Sequence, residues 1–171
     1  MIRPFGAVRP EVHPETFIAD GVQVWGWVQL AEGVSLWPGA SLRGDLAPIR
    51  VGRFSNLQEG ALVHVDPDLP VEIGQYVTVG HGAIVHSAKV GDGTLIGMGA
   101  ILLNGAVVGE GSILGAGSLV GEGKEIPPGV LAFGQPARVK RDLTLAEIAD
   151  LRRWAEEYWR LARIYRDGSA D

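Results

Sequence analysis

Aliphatic residues recur six apart along most of the chain. They fall at Ile18, Val24, Leu30, Leu36 and Leu42, then at Val51, Leu57 and Val63, then at Ile73, Val79 and Val85. After a slip of one residue the series resumes at Val90 and runs through Ile96, Leu102, Val108 and Leu114 to Val120. Many of these residues are followed by glycine, as in Ile73-Gly74, Val79-Gly80, Val90-Gly91 and Ile96-Gly97. A period of six matches neither the helical 3.6 nor the strand alternation of 2. It matches a coil of short strands and tight turns, with each aliphatic pointing at the axis and glycines supplying backbone angles barred to other residues. Taken three at a time, hexads close a triangular turn of about 18 residues, and turns stack at roughly the 4.8 Å strand spacing. The run from about Thr16 to Ala137 then holds about six to seven turns.

This pattern resembles the hexapeptide-repeat class. The resemblance implies an all-β solenoid, a left-handed parallel β-helix, and it is the resemblance that supplies the handedness. Two gaps interrupt the period: Leu42 to Val51, which contains Arg43-Gly44-Asp45, and Val63 to Ile73, which contains His64 and Asp66-Pro67-Asp68. Extra residues in a solenoid loop out at one edge, where such proteins keep their sites. The repeat is expected to stop at Ile126-Pro127-Pro128-Gly129, because two prolines deny a ladder its donors. Thr144-Leu145-Ala146-Glu147 has capping-box spacing. Ile148, Leu151, Ala155, Tyr158, Ala162 and Tyr165 follow as one apolar stripe, and Glu156 and Arg160 sit four apart on the exposed side. The expected organisation is a β-helix domain over 1–137 with an N-terminal extension, then a C-terminal segment over 138–171 whose α-helix packs on the prism.

Composition narrows the chemistry. A net charge of −5 and no basic stripe argue against nucleic acid. Without cysteine, disulfides and thiolate ligands are excluded, so histidine and carboxylate must do any coordination. Neither a signal-peptide core nor an apolar run of about 18 residues is visible, which makes a cytoplasmic protein without a membrane partner the expectation.

Of the four histidines, His64, His81 and His86 fall within one short stretch. Clustered imidazoles with no thiolates are the ligand set of an open zinc-type site that leaves a position for water. His64 and His81 are nearly one turn apart, so spacing stacks these two. His86 lies around a corner of the triangle. Side chains leaving different faces of a convex prism diverge, so a neighbouring subunit is needed to gather all three. His13 stands outside the cluster.

Together with these histidines, Arg43-Gly44-Asp45, Asn56-Leu57-Gln58-Glu59, the stretch Gly80 to His86 and the exit motif Gly134-Gln135-Pro136-Ala137-Arg138 resemble the γ-class carbonic anhydrase family. The resemblance covers roughly residues 10 to 166. It implies a homotrimer with Zn2+, or alternatively Fe2+ or Co2+, held by His64, His81 and His86 at the subunit interface. The first and third of these would come from one subunit and the second from its neighbour. It further implies that Arg43 and Asp45 form an intersubunit ion pair, that Gln58 hydrogen-bonds the metal-bound hydroxide, that Asn56 orients that network, and that Tyr158 lies near the metal. The implied reaction is reversible hydration of CO2 to bicarbonate by a metal-bound hydroxide.

The chain departs from the family's pattern at Leu46, where archetypal members carry a glutamate, at Glu59, where aspartate is usual, and in lacking an extended acidic loop. Asp66 and Asp68 are the nearby acids, as relay groups or as turn residues beside Pro67. These departures keep three alternatives open: a metal-binding trimeric scaffold with little hydration activity, a hexapeptide acyltransferase, and another metal-dependent hydrolase.

Overall fold

The computed structural model describes residues 1–168; the last three residues of the C-terminal segment lie outside the described residues. The chain coils into a β-solenoid of about 7 turns with three faces, a left-handed parallel β-helix carrying one C-terminal helix. On the first face, parallel pairing runs from the start of Ser41–Val51 through Leu62–His64, Ile84–His86 and Ile101–Leu102 to Leu119–Val120. The second face starts from the far half of Ser41–Val51 and continues through Val71–Ile73, Lys89–Val90 and Val107–Val108 to Glu125–Ile126. The third runs from Phe17–Ile18 to Val130–Gly134 and is closed by Ala137–Asp142.

The hexad aliphatics point inward as expected: Val24, Leu42, Leu57, Val79, Ile96, Leu102 and Leu114 are all fully buried and form one continuous core. What the period does not show is the difference between outward positions. On the second face Arg50, Glu72 and Lys89 stand in register, with Lys89 Nζ 3.0 Å from Glu72. On the first face the stacked outward residues are Leu62, Ile84, Ile101 and Leu119. One face is built for water; the other is not.

The repeat continues past its expected end. Pro127 and Pro128 occupy a turn rather than a strand, so their missing N–H groups cost the ladder nothing, and Val130–Gly134 adds one more parallel rung on Ile113–Leu114. Ala137–Asp142 then reverses against that rung, so a strand spans the expected boundary at residue 137. The helix occupies Leu145–Asp167 with the predicted capping box between Thr144 and Glu147. Leu151, Ala155 and Ala162 are buried, while Tyr165 at the end of the stripe is 71% exposed although its ring edge touches Trp37. The expected Glu156–Arg160 pair does not form: Glu156 takes Arg152, and Arg160 takes Glu157. No described helix is long and apolar enough to cross a membrane.

Candidate metal centre

The two gaps in the period shape the site. Between Gly44 and Ile49 the strand bulges outward, leaving Asp45 and an exposed Leu46 beside the first face. The second gap closes as a small loop bridged between Asp66 and Leu69, and it lengthens that turn of the coil. His64 therefore pairs in register with His86, on the next turn, and with Arg43 on the previous one. The stacking of His64 with His81 expected from spacing is corrected here: the loop adds residues to this turn, and the rung-to-rung step from His64 becomes 22 residues instead of 17.

His64 Nδ1 lies 3.0 Å from His86 Nε2. The opposite nitrogen of each ring is held by an oxygen: His64 Nε2 is 3.1 Å from Asp45 Oδ1, and His86 Nδ1 is 2.6 Å from Asn104 Oδ1. Arg43 pairs with the other oxygen of Asp45. Burial pulls the Asp45 carboxyl up, but hydrogen bonds from His64, its own backbone and Arg43 outweigh that and hold it below the ordinary value. Arg43 and Asp45 thus sit in one chain beside His64.

His81 sits at the opposite end of the same face, in the turn before Ile84–His86. A Cβ at Gly80 would stand 2.8 Å from Met98 N, and Gly82 has a φ of +66°, so glycines on both sides let the coil turn this tightly. His81 Nδ1 is 2.6 Å from Glu59 Oε2. Its neighbours line a cavity of about 390 Å³ with Gln58, Leu95, Met98, Ile113, Trp154 and Tyr158. Asn56 is fully buried and donates to Thr78 Oγ1 at 2.9 Å; Gln58 donates to Asn56 Oδ1 at 3.3 Å. Burial, and then the charge of Glu59, push the Tyr158 hydroxyl up, so it stays protonated at neutral pH. Tyr158 packs edge-on against Trp37 as well as facing this cavity.

One chain thus holds two half-sites. His64, His86, Arg43 and Asp45 lie at one edge of the first face; His81, Gln58, Asn56 and Tyr158 lie at the other corner. Among the described residues no group of three metal-binding side chains converges within the chain. His13 is separate: its Nδ1 accepts from the backbone N–H of Glu15.

The donor set nevertheless fits a divalent metal. Ionised Asp45 and Glu59 can only accept, so His64 donates through Nε2 and His81 through Nδ1. Each of the three rings then keeps one unprotonated nitrogen pointing away from its partner. For His64 and His86 these lone pairs face each other at 3.0 Å. Two such lone pairs repel unless a cation lies between them, and the separation is close to that of two imidazole nitrogens sharing one zinc at about 2.0–2.1 Å each. Histidines backed by a carboxylate or an amide oxygen are the usual form of zinc ligands. Sequence reasoning missed Asn104 altogether, because an asparagine before Gly105 reads as an ordinary turn residue.

Comparison with known proteins agrees with this picture. Residues 87–122 match the family described as bacterial transferase hexapeptide (six repeats). A protein of Geobacillus kaustophilus named carbonic anhydrase is 43% identical over 97% of this chain and 91% of its own length. Gamma carbonic anhydrase 2 of Arabidopsis thaliana, a mitochondrial protein, is 42% identical over 91% of this chain, which spans 58% of that longer protein. A Bacillus cereus crystal structure described as a putative acetyltransferase superposes with a TM-score of 0.95 at 40% identity, covering 98% of both chains.

Proposed function

The chain belongs to the γ-carbonic anhydrase family, and from that premise we propose that it is a homotrimeric metalloenzyme that reversibly hydrates CO2 to bicarbonate. The observation that carries this reading is the protonation pattern of the three histidines. Asp45, Asn104 and Glu59 each occupy one nitrogen of a ring and leave the other bare. The apolar outward stripe of the first face supports the trimer, because Leu62, Ile84, Ile101 and Leu119 stack where a lone prism would present polar residues. Packing that face against a second copy brings His64 and His86 of one chain towards the His81 corner of another.

His64, His81 and His86 would hold the metal, with zinc as the expected ion and iron(II) or cobalt(II) as alternatives. When bound, the metal supplies Lewis-acid activation of water near neutral pH. The remaining chemistry belongs to the chain. Asn56, fixed by Thr78, holds the Gln58 amide through its nitrogen, so that the Gln58 oxygen is turned to accept from the reacting water. Tyr158 keeps its proton and offers a donor beside them. Leu95, Ile113 and Met98 give the cavity an apolar wall suited to an uncharged substrate.

Proton release is the weak step. Leu46 is 49% exposed on the bulge and accepts nothing, while the Asp66 carboxylate is taken up by Asn104 at 2.5 Å. That observation favours, as the second reading, a metal-binding trimer with slow hydration. Acetyl transfer, the activity for which the Bacillus cereus protein is named, is the competing chemistry. The test is metal content, mass and CO2 hydration on zinc-loaded and on anaerobically prepared iron(II) protein, with acetyl-CoA binding as a control. A trimer with about one metal per chain and measurable hydration is expected. A metal-free monomer, or acetyl-CoA binding without hydration, would overturn the reading.

A further inference from the structure

We propose that Asn104, itself held by Asp66, is a positioning residue that fixes the tautomer of His86. The inference rests on the metal reading of His86 and goes beyond it to residues that no ligand motif contains. Asn104 Nδ2 donates to Asp66 Oδ2 at 2.5 Å, and Asn104 Oδ1 lies 2.6 Å from His86 Nδ1. A carboxylate only accepts, so it takes the NH2 end of the amide and turns the oxygen end to the ring. That oxygen in turn only accepts, so His86 carries its proton on Nδ1 and leaves Nε2 bare on the side facing His64. Were the amide reversed, its NH2 would face Nδ1, the ring proton would move to Nε2, and the metal-facing nitrogen would be blocked.

The loop after His64 is built to deliver this carboxylate. Val65 is fully buried and anchors its base, and the backbone N–H of Asp66 donates to Ser87 Oγ at 2.7 Å. Ser87, at a φ of +46° and almost fully buried, donates its own N–H to His64 O. The turn after His86 thus clamps the loop after His64. Asp66, Asn104, His86, His64, Asp45 and Arg43 form one unbroken polar chain. The gap in the hexad period therefore has a chemical role, because it places the acid that orients the amide that orients the ligand.

The test uses the full-length trimer with 15N-labelled histidine, read by NMR in the metal-free state and by chelator competition for zinc. In wild type the His86 ring is expected to show the Nδ1–H tautomer. Asn104→Leu should shift the ring towards the Nε2–H form and weaken zinc about 10- to 100-fold, the usual range for loss of such a support. Asp66→Asn, in the loop, lets the amide reverse and should give an intermediate loss; it also serves if Asn104→Leu does not fold. The exchanged pair Asp66→Asn with Asn104→Asp keeps an acceptor against His86 and should restore both tautomer and affinity. An unchanged tautomer and affinity in the single variants, or no recovery in a folded exchanged pair, would overturn the proposal. A wild type that binds no zinc would sink the metal reading alone, since the metal-free tautomer still decides this one.

Discussion

Histidine 86 differs from histidine 13 in what touches its ring. One has an amide oxygen on Nδ1 and a second imidazole on Nε2; the other accepts a backbone N–H and faces no partner ring. That distinction lies at atomic scale and is absent from the sequence, which shows clustering but not which nitrogen is bare. The sequence also mispairs the ring positions, because counting residues treats the Asp66–Leu69 loop as part of the rung when it lies outside it. The supporting groups divide the same way: Arg43, Asp45, Asn56 and Gln58 were legible through motif resemblance, whereas Asn104 has no motif. Since the aliphatic hexads hold the prism independently of the site, His81→Ala should abolish metal binding while leaving the circular dichroism and melting of the metal-free protein unchanged. Unfolding on this substitution would show that ligand and fold are not separable.

At the scale of the element, the C-terminal helix was legible almost to the residue because its start is encoded locally by Thr144 and Glu147. Its docking was not. Phe54 and Tyr76 take turn positions with φ of +57° and +54°, where the later turns Gly93 and Gly111 use glycine. Their rings stack at 5.3 Å, and Arg152 of the helix lies 4.2 Å over Tyr76. A hexad template predicts small residues there; the aromatics are retained because the helix needs a platform. The helix start also carries a pH dependence. Hydrogen bonds from Arg141, and then from the Thr144 backbone, lower the Glu147 carboxyl from 4.5 to about 2. A depressed carboxyl stabilises the fold fully above its unfolded value and loses that contribution as pH falls through the folded one. Helix stability should therefore decline between about pH 4.5 and 2 in the wild type. Glu147→Gln should remove that component of the decline, as followed by helix melting across this range. An identical pH profile in the variant would contradict the assignment.

At the scale of the molecule, the period gave the coil but not its sidedness. Inward positions are aliphatic on every face, so the core alone cannot say which face meets another chain. The outward residues decide it, with a charged ladder on one face and Leu62, Ile84, Ile101 and Leu119 on another. A single uncompensated charge on an apolar interface costs several kcal/mol, so Ile101→Lys combined with Leu119→Lys should convert the trimer to monomers that keep their β-structure. Sedimentation and circular dichroism check this, and an intact trimer would assign the interface elsewhere. Both half-sites in each chain follow from that geometry, since His81 and His86 stand at opposite ends of one face. Subunit complementation tests the shared site most directly. His81→Ala and His86→Ala chains should each bind no metal as pure trimers. Co-refolded together, they should regain metal, because one variant supplies His64 and His86 and the other supplies His81. Mixed trimers that stay metal-free, or either pure variant that keeps its metal, would contradict a site built between two copies of this chain.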